Sequence, residues 1–362
     1  MTAPDRIEAD VIIIGGGLSG LALADRLHRA GVSVQLFEAR ARFGGRIAAF
    51  DAGGGRVDLG PSWIWPGQER AARLIADLGL AGFAQHATGD SLFEEAQGRV
   101  HRGAGIASMA GALRVEGGLI GLIEGLVARL PGARLHLSCP VVTVGDGWVD
   151  LGDGRRCKGR HIVLALPPRI AAGLRFAPPL PEHTLSRLAA VPTWMAGHAK
   201  FVAVYDRPFW REAGLSGDAA SRVGPLAEIH DASGPTGTPA ALFGFLGLPA
   251  TTRADLGARL TEMALDQLAR LFGAEAARPV HTRLQDWAQE PFTATPADML
   301  APRGHPAYGP LPPLQTGSGA RLHLAGTEIA PEMGGLVEGA LAVAEEVAQA
   351  ILTGMDGTAP PA

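Results

Sequence analysis

Two groups of residues in this chain have types and spacings that could do chemistry. Gly15, Gly17 and Gly20 fit the spacing G-x-G-x-x-G, and Glu38 lies a short distance beyond them. In such a pattern the first glycine permits a sharp turn and the second lets a pyrophosphate touch the backbone, while the third lets helix and strand pack closely. The Glu38 carboxylate can accept hydrogen bonds from both hydroxyls of a ribose. The spacing therefore predicts a dinucleotide site.

The second candidate is Lys200, which falls within an apolar run that alternates as a strand does. The alternation places Lys200 on the same face as Val202 and Val204. A lysine on an apolar face is costly unless it is neutral, paired or solvated, and burial would lower its pKa. An edge-strand lysine that reaches water is the alternative, and it is the commoner arrangement.

The glycine motif is flanked by a predicted strand, a helix and a second strand. Residues 11–14 form an apolar, β-branched run, which is typical of a strand buried on both faces of a parallel sheet. The helix would aim the N–H groups of its first turn, at Leu18 and Ser19, and its positive dipole end at the phosphates. An ordinary βαβ unit is the alternative, but it leaves Glu38 unexplained. Strand, turn, helix and acid follow in order within about 30 residues, which favours the dinucleotide interpretation.

A glycine-rich basic segment follows Glu38 directly. It comprises Ala39 and Arg40 and, a few residues later, Gly44, Gly45 and Arg46. The paired glycines would let the backbone contact the same pyrophosphate at a second point, and the Arg46 guanidinium could donate two parallel hydrogen bonds to it. A solvated basic loop is the alternative, but it would not need two adjacent glycines.

Composition restricts the class of protein. The chain has 362 residues, of which 47% are hydrophobic and 19% charged, so we expect a large core and two domains that can be interleaved. With a net charge of −4 the chain lacks the excess of basic residues that is typical of nucleic-acid-binding proteins. Two cysteines and scattered histidines indicate neither a disulfide framework nor a metal site. We expect a cytoplasmic protein, because the sequence has neither a signal peptide pattern nor a long apolar stretch for a membrane.

Together with residues 57–60, 325–328 and 338–340, these motifs resemble the flavin monoamine oxidase family over nearly the whole chain. The resemblance implies an α/β fold in which a Rossmann-like FAD-binding domain is interleaved with a smaller α+β substrate domain. The implied FAD-binding parts are 1–78, 117–188 and 290–353, the substrate parts are 79–116 (a reduced insertion) and 189–289, and 354–362 is a disordered tail.

The resemblance also implies how FAD is held. The bond to FAD would be non-covalent, because Pro296 stands where covalent members carry the flavin-linking cysteine. Val141 would meet the adenine through its backbone, with a plain strand valine as the equal alternative. The helix that starts after Gly334 would direct its dipole at the flavin pyrimidine. The other implied cofactor contacts are Gly60, Pro61, Ser62, Gly326, Glu328, Gly335, Leu336 and Val337.

The family reaction transfers a hydride from the carbon next to an amine to flavin N5, and dioxygen then reoxidises the flavin to give hydrogen peroxide. By resemblance, Lys200 would hold a water against flavin N5. Trp287 would pack near the flavin, and a purely structural tryptophan is the rival interpretation. The two tyrosines that flank the amine in covalent members fall at Ala297 and Leu336, so their aromatic cage is missing. Trp63 and Trp65 are then candidates for the aromatic surface, and the alternative is that they only pack, as loop tryptophans more often do.

Several functions stay open at this point. The leading hypothesis is an FAD-dependent oxidase of an amine with dioxygen as its acceptor. The alternatives are a flavin desaturase, a redox-neutral flavoenzyme and a flavin-loaded binding protein without turnover. Glu228 is either a partner for a second cationic group on the substrate or a solvated surface acid, and a homodimer is left open.

Overall fold

The structure is a computed structural model that describes residues 7–104, 109–300, 302, 304–314 and 321–356. The strands are β1 (Ile7–Ile14), β2 (Val34–Phe37), β3 (Ala49–Asp51), β4 (Arg56–Asp58), β5 (Gly82–Ala84), β6 (Asp90–Glu94), β7 (Val100–Gly103), β8 (Leu113–Val115), β9 (Leu135–His136), β10 (Val141–Gly145), β11 (Trp148–Leu151), β12 (Arg156–Leu164), β13 (Arg175–Ala177), β14 (Ala199–Tyr205), β15 (Leu215–Ser221), β16 (Leu226–Asp231), β17 (Ala240–Leu246), β18 (His281–Asp286) and β19 (Arg321–Leu324). The helices are α1 (Leu18–Arg29), α2 (Glu69–Asp77), α3 (Ile120–Ala128), α4 (Pro168–Ala172), α5 (Glu182–Ala190), α6 (Phe209–Glu212), α7 (Ala250–Leu256), α8 (Arg259–Phe272) and α9 (Val337–Asp356).

The larger sheet has the strand order β13-β10-β11-β12-β1-β2-β9, with β19 beside β12. β1 pairs in parallel with β2 and β12, and β12 pairs in parallel with β19. Alternate residues of β1 enter two cores: Val11 and Ile13 pack with α1, α3 and α9, while Ile12 and Ile14 pack on the opposite face. The predicted α/β, Rossmann-like fold is confirmed, and the carboxyl ends of its parallel strands meet at one edge.

A second sheet has the order β18-β14-β17-β16-β15-β6-β7. Its outer face packs against α8 around residues such as Phe201 and Leu268. Its inner face forms an apolar cluster with the β3–β4 hairpin and the residue that follows it, and this cluster includes Val202, Phe243, Val57 and Leu59. β14 lies inside this sheet, because β17 and β18 pair with it on either side. Lys200 is therefore not an edge-strand lysine.

The segment predicted as a reduced insertion is built of strands. Among its described residues, β6 pairs with β15 and with β7 and so extends the second sheet, while β5 and β8 pair with each other. Its Gly- and Ala-rich sequence had not indicated strands. The assignment of 79–116 to a substrate domain remains a prediction. The predicted tail begins too early, because α9 continues through Asp356; residues 357–362 lie outside the described residues. The other domain boundaries remain predictions. No helix of the described ranges is both long and apolar enough to span a bilayer.

Candidate functional site

A cavity of about 410 Å³ opens where the carboxyl ends of the parallel strands face the second sheet. The predicted site residues that line it are Gly15, Gly17, Leu18, Ser19, Glu38, Arg40, Gly45, Arg46, Gly60, Pro61, Ser62, Trp63, Lys200, Trp287, Gly326, Gly335, Leu336 and Val337. Residues far apart in sequence thus meet in one place, at the kind of crevice where α/β sheets bind dinucleotides. Four predicted residues do not line the cavity: Gly20, Ala39, Val141 and Glu328.

The three motif glycines differ in what surrounds them. Gly15 has φ +108°, and a Cβ there would lie 2.5 Å from the Ala165 carbonyl oxygen. A Cβ at Gly20 would lie 2.1 Å from the Gly15 carbonyl oxygen, so both positions require glycine for packing within the protein. A Cβ at Gly17 would have only the Gly45 Cα within 4 Å, at 4.0 Å. The open space at Gly17 therefore fits a ligand rather than a protein neighbour.

The second glycine pair lies directly against the first motif. The Gly44 N–H donates to the Gly16 carbonyl oxygen at 2.8 Å, and Gly44 and Gly17 form a parallel bridge. Gly44 and Gly45 have φ values of +110° and +57°, which glycine adopts most readily. The two segments form one backbone-lined cradle beside the N-terminus of α1. This arrangement fits the predicted double approach to a pyrophosphate.

Glu38 is buried at the end of β2 and is fixed by backbone donors. Its Oε2 accepts from the Gly16 N–H at 2.8 Å, and its Oε1 accepts from the Arg40 N–H at 2.9 Å. Each carboxylate oxygen retains acceptor capacity for a ribose hydroxyl. The Arg40 guanidinium donates to Glu290 and Thr293, so the loop after β18 closes this end of the cavity.

An ion pair between Arg46 and the buried Glu328 joins an N-terminal and a C-terminal segment of the chain beside the cavity. Arg46 Nη1 lies 2.5 Å from Glu328 Oε1 and donates to the Trp194 carbonyl oxygen at 3.2 Å. Glu328 is 1% exposed, and its Oε2 has no hydrogen-bond partner among the described residues. A Cβ at Gly326, which lines the cavity, would lie 3.6 Å from this oxygen. An unpartnered buried carboxylate oxygen at this position fits a ligand that brings hydroxyl or N–H donors.

Lys200 is buried, and its ammonium group contacts the segment after β4. Nζ lies 3.1 Å from the Asp58 carbonyl oxygen, 2.9 Å from the Gly60 carbonyl oxygen and 2.7 Å from Ser62 Oγ. It also lies 4.0 Å from the centroid of the Phe243 ring. Burial lowers the pKa of Lys200 to about 7, although the Asp58 carboxylate opposes that shift.

Aromatic side chains form the wall of the cavity beyond the cradle. Trp63 Nε1 donates to Gln85 Oε1 at 2.9 Å, and Trp287 Nε1 donates to the Leu59 carbonyl oxygen at 3.2 Å. Both indoles are thus held in place by hydrogen bonds while they line the cavity, so the structural and site interpretations of Trp287 are compatible. Trp194 and Phe245 also line it. Sequence reasoning missed these two, because each lies in a segment without a recognisable motif.

Other predicted positions lie elsewhere. Val141 is buried in β10, where it pairs with Leu151, and its contact with an adenine remains a prediction. Glu228 lies in β16 with a side chain that is 55% exposed, so the surface alternative describes it correctly. Ala297 is exposed, whereas Leu336 lines the cavity, and neither position supplies an aromatic ring.

The glycine cradle, the buried Glu38 and the cavity that continues to the buried Lys200 fit a dinucleotide-binding protein. Comparison with known proteins narrows this class. The family model described as flavin containing amine oxidoreductase matches residues 90–352, and that of an NAD(P)-binding Rossmann-like domain matches residues 13–78. The chain belongs to the flavin-containing amine oxidoreductase family, and it is an FAD-dependent oxidoreductase.

Individual relatives agree with this assignment. The flavin-containing amine oxidase B of Homo sapiens is 25% identical, and the match covers 96% of this chain and 87% of the relative. The putrescine oxidase of Kocuria rosea is 24% identical, with 79% of this chain and 84% of the relative covered. Among solved structures, the cyclohexylamine oxidase from Brevibacterium oxydans IH-35A superposes with a TM-score of 0.81 at 23% identity, covering 96% of this chain and 99% of that one.

Proposed function

We propose that the protein oxidises an amine that has one cationic group and an apolar remainder, with dioxygen as the electron acceptor and hydrogen peroxide as a product. The observation that carries the proposal is the continuity of one cavity from the glycine cradle to the aromatic wall at Lys200. A substrate bound at the aromatic end would share this cavity with the cofactor.

Bound FAD supplies the hydride acceptor and the electron carrier to dioxygen. The chain holds it at the cradle of Gly17 and Gly45 and at Glu38, and the N-terminus of α9 adds a positive dipole end. We infer that the attachment is non-covalent, since Pro296 replaces the linking cysteine. In addition, neither Cys139 nor Cys157 belongs to the described residues that line the cavity.

The wall of the cavity is suited to an apolar amine. Trp63, Trp194 and Phe245 exclude water, and a poorly solvated site favours the neutral amine from which a hydride can leave. Among the described lining residues Glu38 is the one acid, and it belongs to the cradle. A diamine would place its second ammonium group against apolar surface without a carboxylate, which is costly. We therefore expect monoamines to react better than diamines of equal length.

The test is a pair of anaerobic reductions of the FAD-loaded protein. Pentylamine and 1,5-diaminopentane have the same carbon chain, so the comparison isolates the second ammonium group. We expect the monoamine to bleach the flavin absorbance faster, and admission of air to restore the colour with release of peroxide. If a wider panel of aliphatic and arylalkyl amines never bleaches the flavin, amine oxidation is refuted.

A further inference from the structure

The chain uses lysine at only two of its 32 lysine and arginine positions, Lys158 and Lys200. Lys158 is exposed on β12, whereas Lys200 is 2% exposed at the cavity. Arginine stays protonated in proteins, but a buried lysine can release its proton near neutral pH. A lysine at this buried position therefore provides a property that arginine lacks, namely reversible loss of charge.

The hydrogen bonds of Lys200 can be satisfied in both charge states. The carbonyl oxygens of Asp58 and Gly60 only accept hydrogen bonds, whereas the Ser62 hydroxyl can either accept or donate. The ammonium form donates to all three groups. The neutral amine donates to the two carbonyls and accepts from Ser62, whose hydroxyl needs only to rotate. Ser62 and Lys200 both line the cavity, and the hydroxyl that is hydrogen-bonded to Nζ is a group that can pass a proton on.

Two buried charges of opposite sign act on Lys200. Asp58 is 1% exposed; its Oδ1 accepts from the Leu119 N–H at 2.9 Å, and its Oδ2 has no partner among the described residues. Arg114, on β8, donates to the carbonyl oxygens of Ala232 and Ser233 at 2.9 Å and 2.7 Å. Burial is the main cause that lowers the pKa of Lys200; a negative charge on Asp58 opposes this shift, and the positive charge of Arg114 adds to it. Burial also raises the pKa of the Asp58 carboxyl, and the positive charge of Lys200 opposes that rise.

The strands that flank Lys200 add no further charge opposite it. Its partners in the ladders are Phe245 on β17 and Gln285 on β18, both uncharged. The Phe243 ring covers Nζ on the inner face of the sheet. The charge of Lys200 is therefore governed by its burial together with Asp58 and Arg114.

We propose that Lys200 exchanges a proton with the cavity through the Ser62 hydroxyl, and that Asp58 and Arg114 act as opposed positioning residues that set how tightly Lys200 holds that proton. This deepens the proposed function, on which it rests for the identity of the proton donor. A substrate ammonium gives a proton to Ser62 Oγ while Ser62 gives its own proton to the neutral Nζ. The products are a neutral amine in the cavity and an ammonium group at Lys200.

The scarcity of lysine makes a direct experiment practicable. In the FAD-loaded protein labelled with ¹⁵Nζ-lysine, two side-chain signals are expected, and Lys158 serves as the internal reference. We expect Lys200 to titrate with a midpoint of about 7, well below the 10.5 of an ordinary lysine side chain. Asp58→Asn should lower the Lys200 midpoint and Arg114→Gln should raise it, each by about one pH unit or more. Asp153→Asn, which removes an exposed charge, is the matched control and should leave it unchanged.

Ser62 is tested by the rate at which the ζ hydrogens of Lys200 exchange with water. Ser62→Ala should slow that exchange at least tenfold, and Ser62→Thr, which restores a hydroxyl, should recover it. The proposal is overturned if Lys200 titrates like an ordinary lysine, if the Asp58 and Arg114 variants shift its midpoint in the same direction, or if Ser62→Ala exchanges as fast as the parent. Should Asp58→Asn fail to fold, the Arg114 and Ser62 variants still decide. The measurements use no amine, so they stand or fall separately from amine oxidation.

Discussion

The different surroundings of the three motif glycines lead to a sharp prediction about Gly17. Gly17 has φ −76° and ψ −178°, which alanine adopts readily, and a Cβ would meet nothing closer than the Gly45 Cα at 4.0 Å. Gly17→Ala gives up a small preference for glycine at the helix N-cap but restricts the unfolded chain, and each effect is worth about 0.5–1 kcal/mol. The free energy of unfolding of the FAD-free protein should therefore stay within about 1 kcal/mol of the parent.

Binding of FAD should respond differently. The added methyl group would occupy the space where the pyrophosphate meets the backbone, and inserting a methyl into a tightly packed contact costs about 1–3 kcal/mol. Since 1.4 kcal/mol is a factor of ten, the Kd for FAD should rise about 5- to 140-fold. Urea unfolding measures the stability, and quenching of flavin fluorescence measures the Kd.

Gly20→Ala provides the contrasting control. Its Cβ would lie 2.1 Å from the Gly15 carbonyl oxygen, a backbone atom that cannot move without shifting β1 or α1. It should therefore destabilise the FAD-free protein by more than about 1 kcal/mol. An FAD affinity of Gly17→Ala within threefold of the parent would refute the position that we assign to the pyrophosphate.

Three further results follow from buried polar groups. Because the pKa of Lys200 is lower in the folded protein than in the unfolded chain, the charged lysine destabilises the fold; this cost is complete below about pH 7 and vanishes toward pH 10.5. Lys200→Met removes the cost. The difference between the free energies of unfolding of this variant and of the parent, measured in urea, should therefore decrease from about pH 7 to pH 10.5. Trp63→Phe removes the donor to Gln85 and should raise the KM for amines several-fold in steady-state assays while the Kd for FAD is unchanged. Asp231→Asn disrupts the two-point contact with Arg211 at 2.7 and 2.8 Å, and urea unfolding should show a loss of about 3 kcal/mol or more.

That the glycine motif and Glu38 would meet at one end of the candidate site was predictable, because the signals for this arrangement are local. Gly15, Gly17, Gly20 and Glu38 belong to a single βαβ unit, and each role follows from backbone geometry that the spacing already encodes. The second glycine pair was predicted to approach the same pyrophosphate; the hydrogen bond from Gly44 to Gly16 places it beside the first motif, and its contact with a pyrophosphate remains a prediction. Short-range pattern and local stereochemistry were sufficient here.

The substrate half depends on contacts between distant segments. Lys200 stood out as a charge within an apolar strand, but its acceptors lie about 140 residues away, and no pattern identifies them. Asp58 and Arg114 look like ordinary charged residues until burial is known. Phe245 lies in β17, a strand with apolar residues on both faces, so the sequence does not distinguish the positions that face the core from those that face the cavity. Burial and tertiary contact, which periodicity does not encode, decide these roles.

The span from residue 58 to 62 is held from both sides. Lys200 and Trp287 of the second sheet hydrogen-bond to its backbone carbonyls, and Leu119 at the start of α3 is bound by the Asp58 carboxylate. Swinging the two sheets apart would break several buried hydrogen bonds, each worth about 1 kcal/mol, and open the apolar cluster behind them. We therefore expect molecules to enter and leave the cavity past the exposed side chains that line it, such as Trp65, without separation of the two sheets. A covalent cross-link that locks the two sheets together would leave turnover intact.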